Sequence, residues 1–136
     1  TTHCESSSGN AKDICVAQAK GEKDTATADL EASYKPSAKN RYEARDAKAD
    51  ADYDVAKQRC DDASGNAKDV CMKEAKAAHV DATADAKAQM KTTEAHKDAA
   101  QDKTDAAYSV AKEKCDTQSG AAKDSCLKDA EAHYGK

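Results

Sequence analysis

The sequence predicts an all-α protein: an elongated antiparallel helical hairpin or bundle with disulfide-stapled helix-turn-helix corners and no β-sheet. Three observations carry that expectation. One phrase recurs three times along the 136 residues, each copy bracketed by cysteines with ten residues between them: Cys4-ESSSGNAKDI-Cys15, Cys60-DDASGNAKDV-Cys71 and Cys115-DTQSGAAKDS-Cys126. The stretches between the phrases, 16–59 and 72–114, are rich in Ala, Lys and Asp and nearly free of turn formers. Ala and Lys are strong helix formers, and Ala, Lys and Asp are all depleted in strands. Within those stretches small residues recur every three or four positions, the spacing of one helix face.

The cysteine pairs repeat at offsets of 56 and 55 residues. We therefore read 1–136 as a single repeat-built helical domain with internal repeats at about 4–59, 60–114 and 115–136. The first long stretch carries the stripe Cys15, Ala19, Ala26, Leu30, Tyr34 and later Ala49, Tyr53, Ala56, Cys60; the second carries Cys71, Ala75, Ala78, Ala82, Ala86, Met90 and then Ala100, Thr104, Ala107, Ala111, Cys115. Lys35-Pro36-Ser37 interrupts the first, because proline disfavours helix in the residue before it and removes a backbone donor. The corresponding Met90-Lys91-Thr92-Thr93 has no proline, so one long helix is expected there. Two arrangements follow. Straight strokes give one antiparallel pair, whereas reversal at Pro36 gives a more compact bundle of three to five helices.

In the turn phrase, Gly65 suits a left-handed position that ends a helix, and Asn66 can cap the next one with Asp69 near its positive N-terminus. Gly9, Asn10 and Asp13 repeat the pattern. In the third copy Ala121 replaces the asparagine, which leaves Ser119 or Gly120 to do the capping.

Residues 11 apart on one helix lie ~16 Å apart along its axis, whereas a disulfide needs Cα atoms about 4.4–6.8 Å apart. A pair closes within one chain only if the chain reverses between its members. The glycine midway favours that reversal and hence the pairs Cys4–Cys15, Cys60–Cys71 and Cys115–Cys126. The rival is a continuous helix whose cysteines share one face and bond to a neighbouring chain.

The composition restricts function. Of the 38% apolar residues, 31 are alanines, and there is no Phe or Trp. Such side chains build only a thin core, which argues against a compact globular enzyme. Net charge of −4 with both signs interspersed argues against a nucleic-acid binder. No run of 18 apolar residues could span a bilayer. The chain starts at Thr1 with no methionine and no apolar leader, as expected of a mature chain after signal-peptide removal, and paired cysteines place it in an oxidising compartment, secreted or periplasmic.

Chemistry-bearing motifs are sparse. The cysteine spacing and His3, His79, His96 and His133 do not match a zinc site, so solvated helix-surface histidines are expected. No CxxC, CxxCH, phosphate loop, GxSxG or HExxH occurs. Carboxylates alternate with lysines, as Asp69 with Lys73 and Asp124 with Lys128, the pattern of solvated helix faces. No catalytic residue, metal ligand or cofactor is expected. Tyr53 and Tyr108, each seven residues before a cysteine, read as packing beside the staple.

With GNAKDVC at 65–71, AKAAHVDATADAKA at 75–88, DAAYSVAKEKC at 105–115 and the terminal LKDAEAHYGK, the chain resembles small exported bacterial proteins rich in Ala, Lys and Asp. Members of that group carry repeated Cys-turn-Cys phrases and are often labelled as TolA-like cell-envelope proteins. The resemblance implies an envelope or extracellular location and brings no catalytic residues. The expected function is a non-enzymatic helical structural protein that forms a homo-oligomer or polymer, such as a fibre. The alternative is a periplasmic or extracellular binding module for a metal, small ligand or partner protein.

Overall fold

The computed structural model describes residues 2–136. Among them are a 3-10 turn at Thr2–Ser6 and four α-helices: α1 (Gly9–Tyr34), α2 (Ala38–Cys60), α3 (Gly65–Cys115) and α4 (Gly120–Tyr134). No strand is present among the described residues, so the fold is all-α. The residues group into two compact units, Thr1–Thr92 and Thr93–Lys136.

The first unit contains α1, α2 and residues 65–92 of α3. The chain reverses at Pro36, so 16–59 is two helices and not one stroke. The reversal is well bonded: Lys35 N–H donates to the Glu31 carbonyl at 2.8 Å, and the Asn40 side-chain amide donates to the Lys35 carbonyl at 2.8 Å. Ser37 caps α2, its hydroxyl oxygen accepting from Asn40 N–H at 2.9 Å. Proline ends one helix, and a serine cap starts the next. In the second repeat Met90–Thr93 offers neither device, and α3 continues through it.

After the reversal α2 lies antiparallel against α1 with Gly21 beside Ala51. Gly21 is buried, and a Cβ built there would stand 2.8 Å from Ala51 Cβ. Only a residue without a side chain permits this approach. The half-buried and buried positions of α1 are Asn10, Ile14, Cys15, Ala17, Ala19, Gly21, Thr25, Ala28 and Ala32. This corrects part of the sequence stripe: Ala26 is exposed and Leu30 and Tyr34 are 71% and 81% exposed, whereas Cys15 and Ala19 of α1 and Ala49, Tyr53, Ala56 and Cys60 of α2 are half-buried or buried. Along residues 65–92 of α3, the half-buried and buried positions are Lys68, Cys71, Met72, Ala75, His79, Thr83, Ala86 and Met90, while Ala78 and Ala82 face solvent. The stripe chosen for its alanines shares Cys71, Ala75, Ala86 and Met90 with the true seam and misses it only in the middle, where the seam passes through a histidine and a threonine.

The second unit contains residues 93–115 of α3 and α4. Here Thr104, Ala107, Tyr108 and Ala111 are half-buried and Cys115 is buried, whereas Ala100 is exposed. Across from them Cys126, Leu127 and Tyr134 are half-buried and Ala130 is 8% exposed.

The core is as thin as the composition demands. The largest fully buried side chains among the described residues are Cys60 and Cys115, and the buried hydrophobic residues are otherwise alanines and Cys4.

Candidate interaction surfaces

Each corner is built to one plan. The first half-cystine closes the preceding segment: Cys60 is the last residue of α2, Cys115 the last of α3, and Cys4 lies in the 3-10 turn. A backbone bond then tightens the exit: Ser7, Ala63 and Gln118 N–H donate to the carbonyls of Cys4, Cys60 and Cys115 at 3.2, 3.0 and 3.1 Å. The glycine follows with a left-handed φ of +58° at Gly9, +58° at Gly65 and +61° at Gly120. The second half-cystine stands six residues further on. All three bonds close within the chain, with Cα–Cα distances of 5.5 Å for Cys4–Cys15, 5.6 Å for Cys60–Cys71 and 5.7 Å for Cys115–Cys126. No free cysteine is present among the described residues.

The capping roles read from the sequence need correction. Gly9, Gly65 and Gly120 do not end a helix; each is the first residue of the helix that follows. Asn10 and Asn66 therefore lie inside a first turn. Extended Ser8 and Ser119 hold the cap positions of α1 and α4 with no side-chain cap bond. The amide nitrogen of Asn10 is buried without a hydrogen-bond partner. What orients these helix starts is the glycine conformation and the covalent staple. Ion pairs reinforce two corners at equivalent places, Asp61–Lys68 at 3.3 Å and Asp116–Lys123 at 3.2 Å.

Beside each of these two corners the structure assembles a cluster that sequence reasoning saw only as isolated tyrosines. Next to Cys60–Cys71, the rings of Tyr53 and His79 lie 4.9 Å apart, His79 Nε2 is 2.7 Å from the Asp50 carboxylate, and the Lys57 ammonium sits 4.4 Å from the Tyr53 ring centroid. Next to Cys115–Cys126, Tyr108 packs on Tyr134 at 6.1 Å, Lys112 lies 4.7 Å over Tyr108, and Lys136 bonds Asp105. The clusters correspond residue by residue at the 55-residue offset: Asp50 with Asp105, Tyr53 with Tyr108, Lys57 with Lys112, His79 with Tyr134. That offset, applied beyond the cysteines, is the signal that could have found them.

His79 is therefore no solvated surface histidine: its side chain is 20% exposed and engaged on both sides. His96 and His133 are exposed, His133 with its ring against Tyr134; the side chain of His3 lies outside the described residues.

Two charges are displaced from their ordinary behaviour. Lys20 is held protonated above the usual lysine range, chiefly by its hydrogen bond to Asp24, with Asp54 of α2 adding to the effect. Asp105 is held below the usual aspartate range, first by the bond from Lys136 and then by that from Gln101. A folded pKa below the unfolded one contributes stability above the unfolded pKa and loses it as pH falls through the folded value. The Asp105 carboxyl carbon should accordingly titrate, in an NMR series, with a midpoint below about 3.9, and Lys136→Ala should move that midpoint upward. An unchanged midpoint in the variant would show that Lys136 does not hold it.

The first unit also carries an open groove of about 920 Å³. Gly21, Ala51, Val55, Ala75 and the Cys60–Cys71 pair line it, with the charged Glu22, Asp29, Lys48 and Arg59 around them. Among the described residues no group of three or more His, Cys, Asp or Glu is placed to hold a metal ion, and no helix is long and apolar enough to cross a membrane.

By fold and site the chain is an all-helical, disulfide-stapled repeat protein. Comparison with protein-family models, with curated proteins and with solved structures gives no match for it.

Proposed function

We propose that this is a non-enzymatic, secreted or periplasmic structural protein of a bacterial cell envelope or surface, whose copies self-associate into a fibre or comparable assembly. The observation that carries this reading is where the chain spends its few large apolar side chains. Val16, Leu30 and Tyr34 on α1, Val70 and Val80 on the first part of α3, and Val110 on its last part are between 46% and 81% exposed. In a chain whose apolar residues are mostly alanine, these side chains are apolar surface that covering by a second copy would bury, at roughly 25 cal/mol per Å². Three disulfides fit an oxidising environment outside the cytoplasm.

Electron microscopy and light scattering on the purified oxidised protein test the proposal. Regular assemblies that grow with concentration are expected; a monomer at every concentration, salt and pH would overturn it. The groove beside Cys60–Cys71 favours a second reading, a binding module for a small ligand or partner segment. Native mass spectrometry of source material distinguishes the two, because a stoichiometric small adduct supports only the second.

A further inference from the structure

Two exposed helix faces carry charges inside their apolar stripes, and the charges are opposite in sign. On α1 the side turned away from Gly21 presents Lys12, Val16, Ala19, Lys23, Leu30 and Tyr34 by helical spacing. All are exposed except the half-buried Ala19, and no carboxylate lies among them. Lys12 and Lys23 are 11 residues apart, about three helical turns, and so share one line of that face.

Residues 93–115 of α3 carry the reciprocal pattern. At the 55-residue offset they correspond to α2, and Ala99, Ala106 and Val110 stand where α2 turns Ala44, Ala51 and Val55 toward α1. Here all three are exposed. Asp102 and Glu113 lie within the same stripe, seven residues from Ala95 and Ala106, and they too are 11 apart and exposed. None of Lys12, Lys23, Asp102 and Glu113 has an ion-pair partner among the described residues.

A helix that covers the 93–115 stripe must bring cations to Asp102 and Glu113, because a carboxylate enclosed in a seam loses its hydration and needs a partner. A second copy of the same stripe brings only carboxylates. The outward face of α1 brings two lysines at the matching interval. Set antiparallel with Lys23 opposite Asp102, it places Lys12 opposite Glu113, Ala19 opposite Ala106, Ala26 opposite Ala99 and Leu30 opposite Ala95. Set parallel, Leu30 and Tyr34 run past Cys115, where α3 ends.

The edges add to the seam on one side and oppose it on the other. When helices pair antiparallel, edges of the same hand meet. Asp13, Asp24 and Glu31, with Lys20 among them, then come alongside His96, Lys103 and Lys114. The other edge, Glu22 and Asp29 beside Asp98, Asp105 and Lys112, is mostly acidic. Its charges lie furthest from the seam, in water, and Asp105 is already bonded by Lys136.

We infer that the outward face of α1 docks antiparallel on the bare stripe of residues 93–115 in a second copy, with Lys12 on Glu113 and Lys23 on Asp102. The inference rests on the self-association proposed above and names the surfaces that make it. The two surfaces differ, so the contact is heterologous: a copy that uses one keeps the other for a further copy, which builds a ring or an open filament.

The test uses two variants of the full oxidised chain, Lys12→Glu/Lys23→Glu and Asp102→Lys/Glu113→Lys. All four positions are exposed, so circular dichroism should show native helix content in both. Each variant alone sets like charges against each other in the seam, and its self-association, followed by light scattering and sedimentation, is expected to weaken by about tenfold or more. An equimolar mixture should recover, because each variant then meets its complement at both faces, and so should the chain that carries all four changes. A folding defect would allow neither recovery. If Lys12→Glu/Lys23→Glu associates as well as the wild type, or if neither the mixture nor the fourfold variant recovers, this pair of surfaces is overturned while an assembling wild type preserves self-association. A wild type that never associates removes both.

Discussion

Replacing Cys60 and Cys71 together by alanine is expected to destabilise the first unit by about 3 kcal/mol, from two sources. The staple closes a short loop, and a loop of roughly this size contributes about 2–3 kcal/mol through the unfolded chain. The sulfurs also occupy space that no other side chain fills: Cys60 is 1% exposed and is one of the two largest fully buried side chains. The Asp61–Lys68 pair, about half exposed, is too weakly held to compensate. Urea unfolding followed by circular dichroism at 222 nm should show a lower midpoint for the variant than for the oxidised parent. A midpoint equal to the parent's would mean that the corner is set by the glycine and turn bonds alone.

Gly21→Leu is expected to be comparably damaging. With a Cβ already 2.8 Å from Ala51 Cβ, a leucine must push α1 off α2, and overpacking of this kind costs typically 1–3 kcal/mol. Gly21→Ala tests the same contact more gently, because the added methyl gains roughly 1 kcal/mol of helix propensity while it collides. A second change, Ala51→Gly, makes room for that methyl. The double-mutant cycle should therefore show a favourable coupling of about 0.5–3 kcal/mol. Independent, additive effects would show that the two helices do not meet at these residues.

These two sites also mark what a reader of the sequence can and cannot see. The corners are legible because a disulfide has a fixed reach and a helix a fixed rise, so Cys60 and Cys71 demand a reversal and Gly65 offers the place for it. Pro36 is legible for the same kind of reason, although whether it bends or reverses the chain is not. Gly21 is not legible: glycine inside a helical stretch reads as a weakness, and only its neighbour at Ala51 turns it into a contact. The seam is hidden because alanine is everywhere. With 31 alanines in the chain, apolar periodicity has little contrast, and the helix face that packs is chosen by shape, by the staples and by polar members such as His79. The corner clusters were within reach through the repeat, since Asp50, Tyr53 and Lys57 reappear at 105, 108 and 112, but His79 and Tyr134 share a place without sharing a chemistry.

The reversal at Pro36 and the uninterrupted course of α3 through Thr92 and Thr93 belong to corresponding places in two copies of one repeat. The repeat is thus a unit with two settings. Proline with its serine cap selects the folded-back setting, in which one copy covers its own Ala51 face; threonine selects the run-through setting, which leaves the equivalent face at Ala106 bare. Self-sufficiency thus varies from copy to copy with the short segment midway between two corners, while the corners give every copy its ends.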